Sequence, residues 1–312
     1  MDKEANKITI DGGLFNTVKV MNYNICRSPK TEGTPFCFGN RVDRIIKVIE
    51  NHDPDILMLQ ECRRLADYDK EDSIEPFFAR LRKMGYMIEE FRTNGTPLCL
   101  VNCICYKRKL FFLKERDIKY MSSTPDVPSP GWGNGFGRSV GRVKLYPLNK
   151  DGKIYTNFLF GACVTHFSLP EDAKDCEAMM FHDLLYDDVP TIFSGDFNSF
   201  GDHAEHQREI IFGNSSVDDA CVDVIGTWLG HDDDFPVKVG EIGEKLDGLA
   251  GINGIVWLSD IIVDTHDYID VSCDDDDAYI DRSSDEDESE HYNCPSDHAP
   301  IVASFVMRTP KS

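Results

Sequence analysis

Residues 41–61 read RVDRIIKVIENHDPDILMLQE, and this stretch decides the fold class. Val42, Ile45, Ile46 and Ile49 recur at helical spacing, so residues 41–52 predict an amphipathic helix. Asp53-Pro54 ends it, because a proline ring disfavours helical backbone in the residue before it. Residues 55–60 (DILMLQ) then form a short apolar run that predicts a buried strand, and the run stops at Glu61. A helix feeding a central strand that ends in a carboxylate is the building unit of an α/β protein.

Working outward, residues 17–24 (TVKVMNYN) alternate polar and apolar side chains and predict a strand ending in Asn24. A helix is predicted over 74–84, closed by Gly85, with strands at 87–91, 98–107 and 111–118. Residues 125–141 carry three prolines and five glycines and predict a long loop, the kind of segment that tends to be functional. Beyond it come strands at 143–148 and 154–165, a helix over 171–186, a strand at 190–194, a helix over 204–212, and strands at 258–264 and 300–307. No internal repeat is visible. The whole of 1–312 reads as one domain.

Charge narrows the function classes. The 312 residues carry 55 acidic and 33 basic side chains, a formal net charge of −22, with 41% hydrophobic and 11% aromatic residues. That apolar content supplies a sizeable core and excludes global disorder. The negative excess argues against general nucleic-acid binding, which neutralises phosphates with Lys and Arg. Residues 264–290 hold 13 acidic residues and one basic residue, Arg282, so an insertion at 264–294 carries more than half of the net charge. Its composition predicts a solvated insertion rather than a calcium loop, because Asp274 to Asp277 lack EF-hand spacing and glycine.

The longest uncharged apolar stretch, 155–165, is about half of what a membrane-spanning helix needs, and the first residues lack the apolar core of a secretory signal. Eleven cysteines are scattered without a C-x-x-C pair, which predicts reduced, packed thiols and an intracellular, cytoplasmic setting. No feature of the sequence sets an oligomeric state.

Polar groups directly follow four of the predicted strands: Asn24, Gln60-Glu61, Thr165-His166 and Ser194-Gly195-Asp196-Phe197-Asn198. Ser296-Asp297-His298 directly precedes a fifth. Singly, an Asn or Asp at a strand end is usually a turn residue. Together they offer carboxylates (Glu61, Asp196, Asp297) for a hard cation, amides (Asn24, Asn198) to orient it, and histidines (His166, His298) for proton transfer or phosphate contact. An oxygen-dominated donor set suits magnesium or manganese rather than zinc, and supports metal-assisted hydrolysis of a phosphate ester.

At these residues the sequence resembles the endonuclease/exonuclease/phosphatase superfamily, the group of exonuclease III, DNase I, sphingomyelinases, inositol-polyphosphate 5-phosphatases and deadenylases. The ordered motifs are VMNYNI (20–25), PDILMLQE (54–61), VTHF (164–167), GDFN (195–198), LSDIIV (258–263) and SDHAP (296–300). Residues 120–125 (YMSSTP) with Pro128, Gly131, Trp132 and Arg138 resemble the middle loop of a branch of small uncharacterised hydrolases.

The resemblance implies a four-layer α/β sandwich: two mixed β-sheets packed face to face, with helices outside. It implies that Glu61 binds Mg²⁺ (Mn²⁺ as substitute), with Asn24 and Asp297 near the metal directly or through water. His298 would pair with Asp260, and either that pair or Asp196 would deprotonate the attacking water. Asp196 and Asn198 would position water and phosphate, His166 would donate to a non-bridging oxygen, and Arg138 would clamp the phosphate. Trp132 is expected to stack on a base or sugar.

One departure is Cys26, two residues after Asn24, where several nuclease branches place an acidic residue. It reads as a packed thiol rather than a nucleophile. The implied activity is that of a metal-dependent phosphoric ester hydrolase acting on a small phosphorylated substrate. A DNA or RNA nuclease, and a catalytically silent scaffold that contacts a basic partner through the acidic segment, stand as alternatives.

Overall fold

The computed structural model describes residues 7–10, 13–27, 37–62, 73–93, 101–132, 137–221, 226–228, 244–257, 262–263 and 296–307. In chain order the strands are β1 (Lys7–Ile10), β2 (Gly13–Asn16), β3 (Val18–Asn24), β4 (Ile56–Gln60), β5 (Tyr86–Arg92), β6 (Val101–Lys107), β7 (Phe111–Tyr120), β8 (Ser139–Pro147) and β9 (Phe160–His166). They continue as β10 (Thr191–Asp196), β11 (Val217–Asp219), β12 (Asp247–Ile252), β13 (Ile255–Trp257), β14 (Ile262–Val263) and β15 (Ile301–Met307). The helices are α1 (Phe38–His52), α2 (Glu75–Lys83), α3 (Glu171–Phe181) and α4 (Ala204–Phe212).

Two sheets organise these elements. One runs β13-β15-β3-β4-β6-β5, with β14 also paired to β15; the other runs β11-β12-β10-β9-β8-β7. Each is mixed, because β3 and β4 are parallel in the first and β9 and β10 are parallel in the second, while the remaining ladders are antiparallel. Strands β1 and β2 form a separate hairpin.

Period-2 alternation decides which side chains meet where. Val20, Ile56, Met58, Ile104 and Tyr106 of the first sheet interleave with Val143, Leu145, Phe160, Ala162, Val164 and Ile192 of the second. The alternate residues face outward: Met21, Tyr23, Leu57 and Leu59 pack against Ile45, Ile49, Phe77 and Phe78 of α1 and α2. On the far side Val140, Cys163, Phe193 and Ala250 pack against Phe181 of α3 and Ile211 and Phe212 of α4. The result is helix, sheet, sheet, helix, the four layers expected from the sequence, and each wholly buried large apolar side chain contributes about 1.5–3 kcal/mol.

Several boundaries differ from expectation. The 125–141 loop ends early, because β8 begins at Ser139; a side chain at Gly141 would strike the Phe91 ring at 2.2 Å, so this glycine is an inward strand position left empty for Phe91. The strand expected over 154–165 exists only as β9, with Ile154 making one isolated bridge to Leu148. The helix over 171–186 stops at Phe181 and tightens into a 3₁₀ turn at His182–Leu184. Of the strand at 258–264, Ile262 and Val263 pair with Val302 and Ile301, and the rest lies outside the described residues. The acidic insertion, residues 264–294, lies outside them too. Among the described residues no helix is long and apolar enough to cross a membrane.

Candidate active site

Inward positions that are apolar along most of each strand turn polar at one shared edge. Val18 and Val20 give way to Asn22 and Asn24, Ile56 and Met58 to Gln60, Ala162 and Val164 to His166, and Ile192 to Ser194 and Asp196. The edge is the carboxyl end of both parallel pairs, where open α/β sheets gather ligand sites. Loops complete it. Ser296 Oγ donates to the Asn24 carbonyl at 2.7 Å and accepts from the His298 amide at 3.3 Å, which delivers Asp297 and His298 to the end of β3.

Polar contacts then cross the sandwich. Asn24 Nδ2 donates to Asp196 Oδ2 at 2.9 Å and to Glu61 Oε1 at 3.4 Å, while Asn22 Nδ2 donates to Asp247 Oδ1 at 3.3 Å. Asn22 in turn accepts from Gln60 Nε2 at 2.8 Å. Three non-glycine residues here hold left-handed backbone: Cys26 (φ 47°), Glu61 (φ 58°) and Asn198 (φ 47°), each within two residues of the end of β3, β4 or β10. Such backbone costs about 1–3 kcal/mol per residue and clusters at functional sites.

Asp196 is the hub. Its Oδ1 accepts the Asn198 amide at 2.8 Å, and its Oδ2 stands 3.5 Å from His166 Nε2 and 3.7 Å from His298 Nε2. Burial, with a lesser push from Asp247 and against the pull of His298, raises its carboxyl to about 7. The two histidines are driven in opposite directions. His166 is held well below the usual range by burial and then by the charges of Arg138 and His298, so it is a neutral imidazole. For His298 burial also opposes the charge, but Asp247, Asp196 and Asp297 outweigh it and hold the imidazolium well above the usual range. Histidines with environments this different take different proton roles.

The carboxylate the structure shows on His298 Nδ1 is that of Asp247, the place in which Asp260 was expected. Asp247 Oδ2 lies 2.8 Å from His298 Nδ1, and Asp260 is outside the described residues. The reason is topological: Asp247 opens β12, which pairs antiparallel with β10 in the register Asp196↔Asp247, so it stands at the site edge facing inward. Thr227 locks this pairing, since its Oγ1 accepts the Asp247 amide at 3.0 Å and its carbonyl accepts the Ala299 amide at 2.8 Å. Glycines at 248 and 251 disguised the strand. A side chain at Gly248 would strike Phe212 at 2.4 Å and one at Gly251 would strike Ile255 at 2.4 Å, so packing excludes the β-branched residues that usually mark a strand. The signal that could have found it is Asn253-Gly254, both left-handed, between two apolar runs.

Asp196, Asp247 and His298 place potential ligand atoms within 4.8 Å of one another. Their chemistry is that of a histidine between two aspartates rather than a metal centre, because an imidazolium offers no lone pair to a cation. Glu61 and Asp297 fit a cation better. Burial and then the Asp297 charge raise the Glu61 carboxyl, against the weaker pull of His298 and Arg138, and a divalent ion would offset the repulsion between the two carboxylates. Asn24 Oδ1 accepts the Cys26 amide at 2.9 Å, which fixes the amide orientation and turns Nδ2 toward the carboxylates. The Cys26 thiol, buried and close to Asp297 and Glu61, is pushed up and stays protonated.

The remaining expected residues fall into two groups. Arg138 is buried, its Nε and Nη1 have no hydrogen-bond partner, and it feels Glu177, Asp196 and Glu61 as its charge neighbours. His166 Nδ1 is likewise buried without a partner. Such donors suit an incoming phosphate. Asn198 Nδ2 donates to the Phe167 carbonyl at 2.9 Å, tying its turn to the end of β9. Trp132 is half-buried against the core cluster of the second sheet.

The chain shares its fold with solved proteins of the endonuclease/exonuclease/phosphatase superfamily. An endonuclease/exonuclease/phosphatase family protein of Bacteroides thetaiotaomicron superimposes with a TM-score of 0.67 at 19% identity, covering 94% of this chain and 98% of that one. A mannosyl-6-phosphatase of the same bacterium gives 0.66 at 20% identity (93% and 100%), and the catalytic domain of human nocturnin 0.55 at 16% (94% and 94%). Among curated proteins, the uncharacterised protein L388 of Acanthamoeba polyphaga mimivirus is 30% identical over 190 residues, covering 58% of this chain and 67% of L388, and the two belong to one family. No family model matches the chain.

Proposed function

We propose that this protein is a divalent-metal-dependent phosphoesterase that hydrolyses a phosphate mono- or diester with activated water, on a small phosphorylated substrate. The observation that carries this reading is Asp196: a buried carboxyl tuned to about 7, between a neutral His166 and a charged His298, beside the Glu61–Asp297 pair. A base poised near neutral pH with orienting partners is what proton abstraction from water requires.

Glu61 and Asp297 would hold Mg²⁺ or Mn²⁺, which supplies charge neutralisation at the scissile phosphate. Asp196 accepts the proton of the attacking water, with Asn24 and the Asn198 amide fixing its two oxygens. His298, held by Asp247, keeps its charged Nε2 edge between Asp196 and Asp297, 3.7 and 4.0 Å away, where it stabilises developing negative charge. Arg138 and the neutral His166 donate to phosphate oxygens. The net charge of −22 supports a small substrate over a long polyanion, and the sugar-phosphate activity named for one bacterial fold relative is of that kind.

The test is turnover of a phosphate panel (sugar phosphates, nucleotides, inositol phosphates, bis-p-nitrophenyl phosphate, single- and double-stranded DNA) with and without Mg²⁺ or Mn²⁺, beside Glu61→Ala and Asp196→Asn. Metal-dependent turnover lost in both variants supports the reading. Turnover of DNA alone replaces the small substrate with a nuclease, and no turnover of any member defeats the hydrolase.

A further inference from the structure

Lys174 and Glu177 lie three residues apart on α3, wholly buried, on a helix that contributes nothing to the site edge itself. Burying either charge without partners costs several kcal/mol, so their partners explain why they are there. Lys174 Nζ donates to the Asn198 carbonyl at 2.8 Å and the Phe200 carbonyl at 3.1 Å, with the Phe200 ring 3.8 Å below it. Glu177 Oε2 accepts the Ser168 amide at 2.7 Å and Oε1 accepts the Ser168 hydroxyl at 2.6 Å. One helix thus grips both turns that carry the reacting groups, a cation on the carbonyls after Asp196 and an anion on the donors after His166. The turns are also tied to each other, Asn198 Nδ2 to the Phe167 carbonyl and the Phe167 amide to the Asp196 carbonyl at 2.8 Å.

The first sheet repeats the device. Arg41 of α1 is buried and donates to the Ile25 carbonyl at 3.2 Å and the Cys26 carbonyl at 2.6 Å, behind the end of β3. In both halves a cation from the outer helix caps carbonyls around a left-handed residue, Cys26 or Asn198, at a catalytic strand end. Left-handed backbone persists only where the surroundings impose it.

We infer that Lys174 and Glu177 are positioning residues for the reaction, fastening the Asp196–Asn198 and His166–Ser168 turns to α3 so that base, imidazole and phosphate donors stay in register. The inference rests on the phosphoesterase reading for its effect on rate. Its choice of an ionisable pair is itself informative: burial raises the Glu177 carboxyl to about 7, which works against stability at neutral pH and would be removed by an amide.

The experiment combines amide hydrogen exchange with steady-state kinetics on Lys174→Met, Lys174→Arg, Glu177→Ala and Glu177→Gln. In Lys174→Met the amides of Asn198 and Phe200 are expected to exchange at least about tenfold faster, and in Glu177→Ala that of Ser168, while Ala162 in β9 and Phe193 in β10 stay at parent rates. Lys174→Arg and Glu177→Gln, which keep a donor or an acceptor, should restore most of the protection. For the substrate found in the panel, kcat should fall about 10- to 100-fold in Lys174→Met and Glu177→Ala, more than KM changes, because misplacing reacting groups by about 1 Å has that effect. Unchanged amides at 168 and 198, acceleration spread equally through β9 and β10, or a parent-like kcat despite loosened turns would each overturn the inference. Loosened turns in the variants, with a parent that turns over nothing, would support the fastening and defeat the phosphoesterase reading.

Discussion

The two sheets bring unlike chemistry to one edge. The first sheet and the loop beside it contribute Glu61 and Asp297, the charge of Asp297 raising the proton affinity of Glu61, with Asn24 turning its amide nitrogen toward Glu61 and Asp196. The second contributes Asp196, Asp247 and His166, a set already balanced internally by hydrogen bonds and by the imidazolium of His298. On the proposed reading the contrast separates two duties: the first half would hold a metal, the second would move a proton, and His298, delivered by the loop before β15, would join them. Both halves solve the backbone problem alike, with a buried cation from the outer helix on the carbonyls behind the site.

That division of duties is open to breakage. The largest effect should come from Asp196→Asn, which removes the base and should lower kcat/KM by about 10³-fold while leaving a Mg²⁺-induced rise in Tm intact. Glu61→Ala should lose that Tm response along with activity. If Asp196→Asn also abolishes the metal response, the two halves do not have separate duties. Asp247→Asn comes next. It removes the charge that orients His298 and should lower kcat by about 10²-fold with little change in metal response, read from the same pair of measurements.

A pH profile sharpens the comparison further. Asp196 must be ionised to accept a proton and its folded value is raised to about 7, so kcat/KM of the parent should fall as pH drops below about 7. A profile flat from pH 8 to pH 5.5 would show that Asp196 is not the base. The smallest effect concerns stability. Glu177 is raised from 4.5 to about 7 in the folded state, so the stabilisation it gives is full below about pH 4.5 and lost as pH rises through 7. Glu177→Gln should therefore gain a few degrees of Tm over the parent at pH 8 relative to pH 4.5, followed by thermal melts. An equal Tm difference at both pH values would mean that Glu177 carries no perturbed proton.

Strand ends at Asn24, Gln60-Glu61, His166 and Asp196 were legible because apolar alternation stops at them, and the helix over 204–212 was legible to its bounds. What was missed follows from packing. The strand at 247–252 hides behind glycines that make way for Phe212 and Ile255, and with it went Asp247, whose place beside His298 was assigned to Asp260. Asn24 was expected near the metal, directly or through water; its Oδ1 accepts the amide of Cys26, two residues on in a left-handed turn, and its Nδ2 faces the carboxylates. Trp132, expected at substrate, lies partly buried against the core of the second sheet.

By itself the sequence determined a mixed α/β succession of elements and the inventory of carboxylates, amides and histidines, because period and residue type are local properties that strand and helix geometry read directly; the sandwich was what the resemblance implied. Only the tertiary structure decided which aspartate serves His298, which end of Asn24 faces the site, and that α3 reaches the catalytic turns through Lys174 and Glu177. Those are facts of register and of contacts that the linear pattern of residues does not display, and each was settled by which buried donor needed which acceptor once the two sheets had closed on each other.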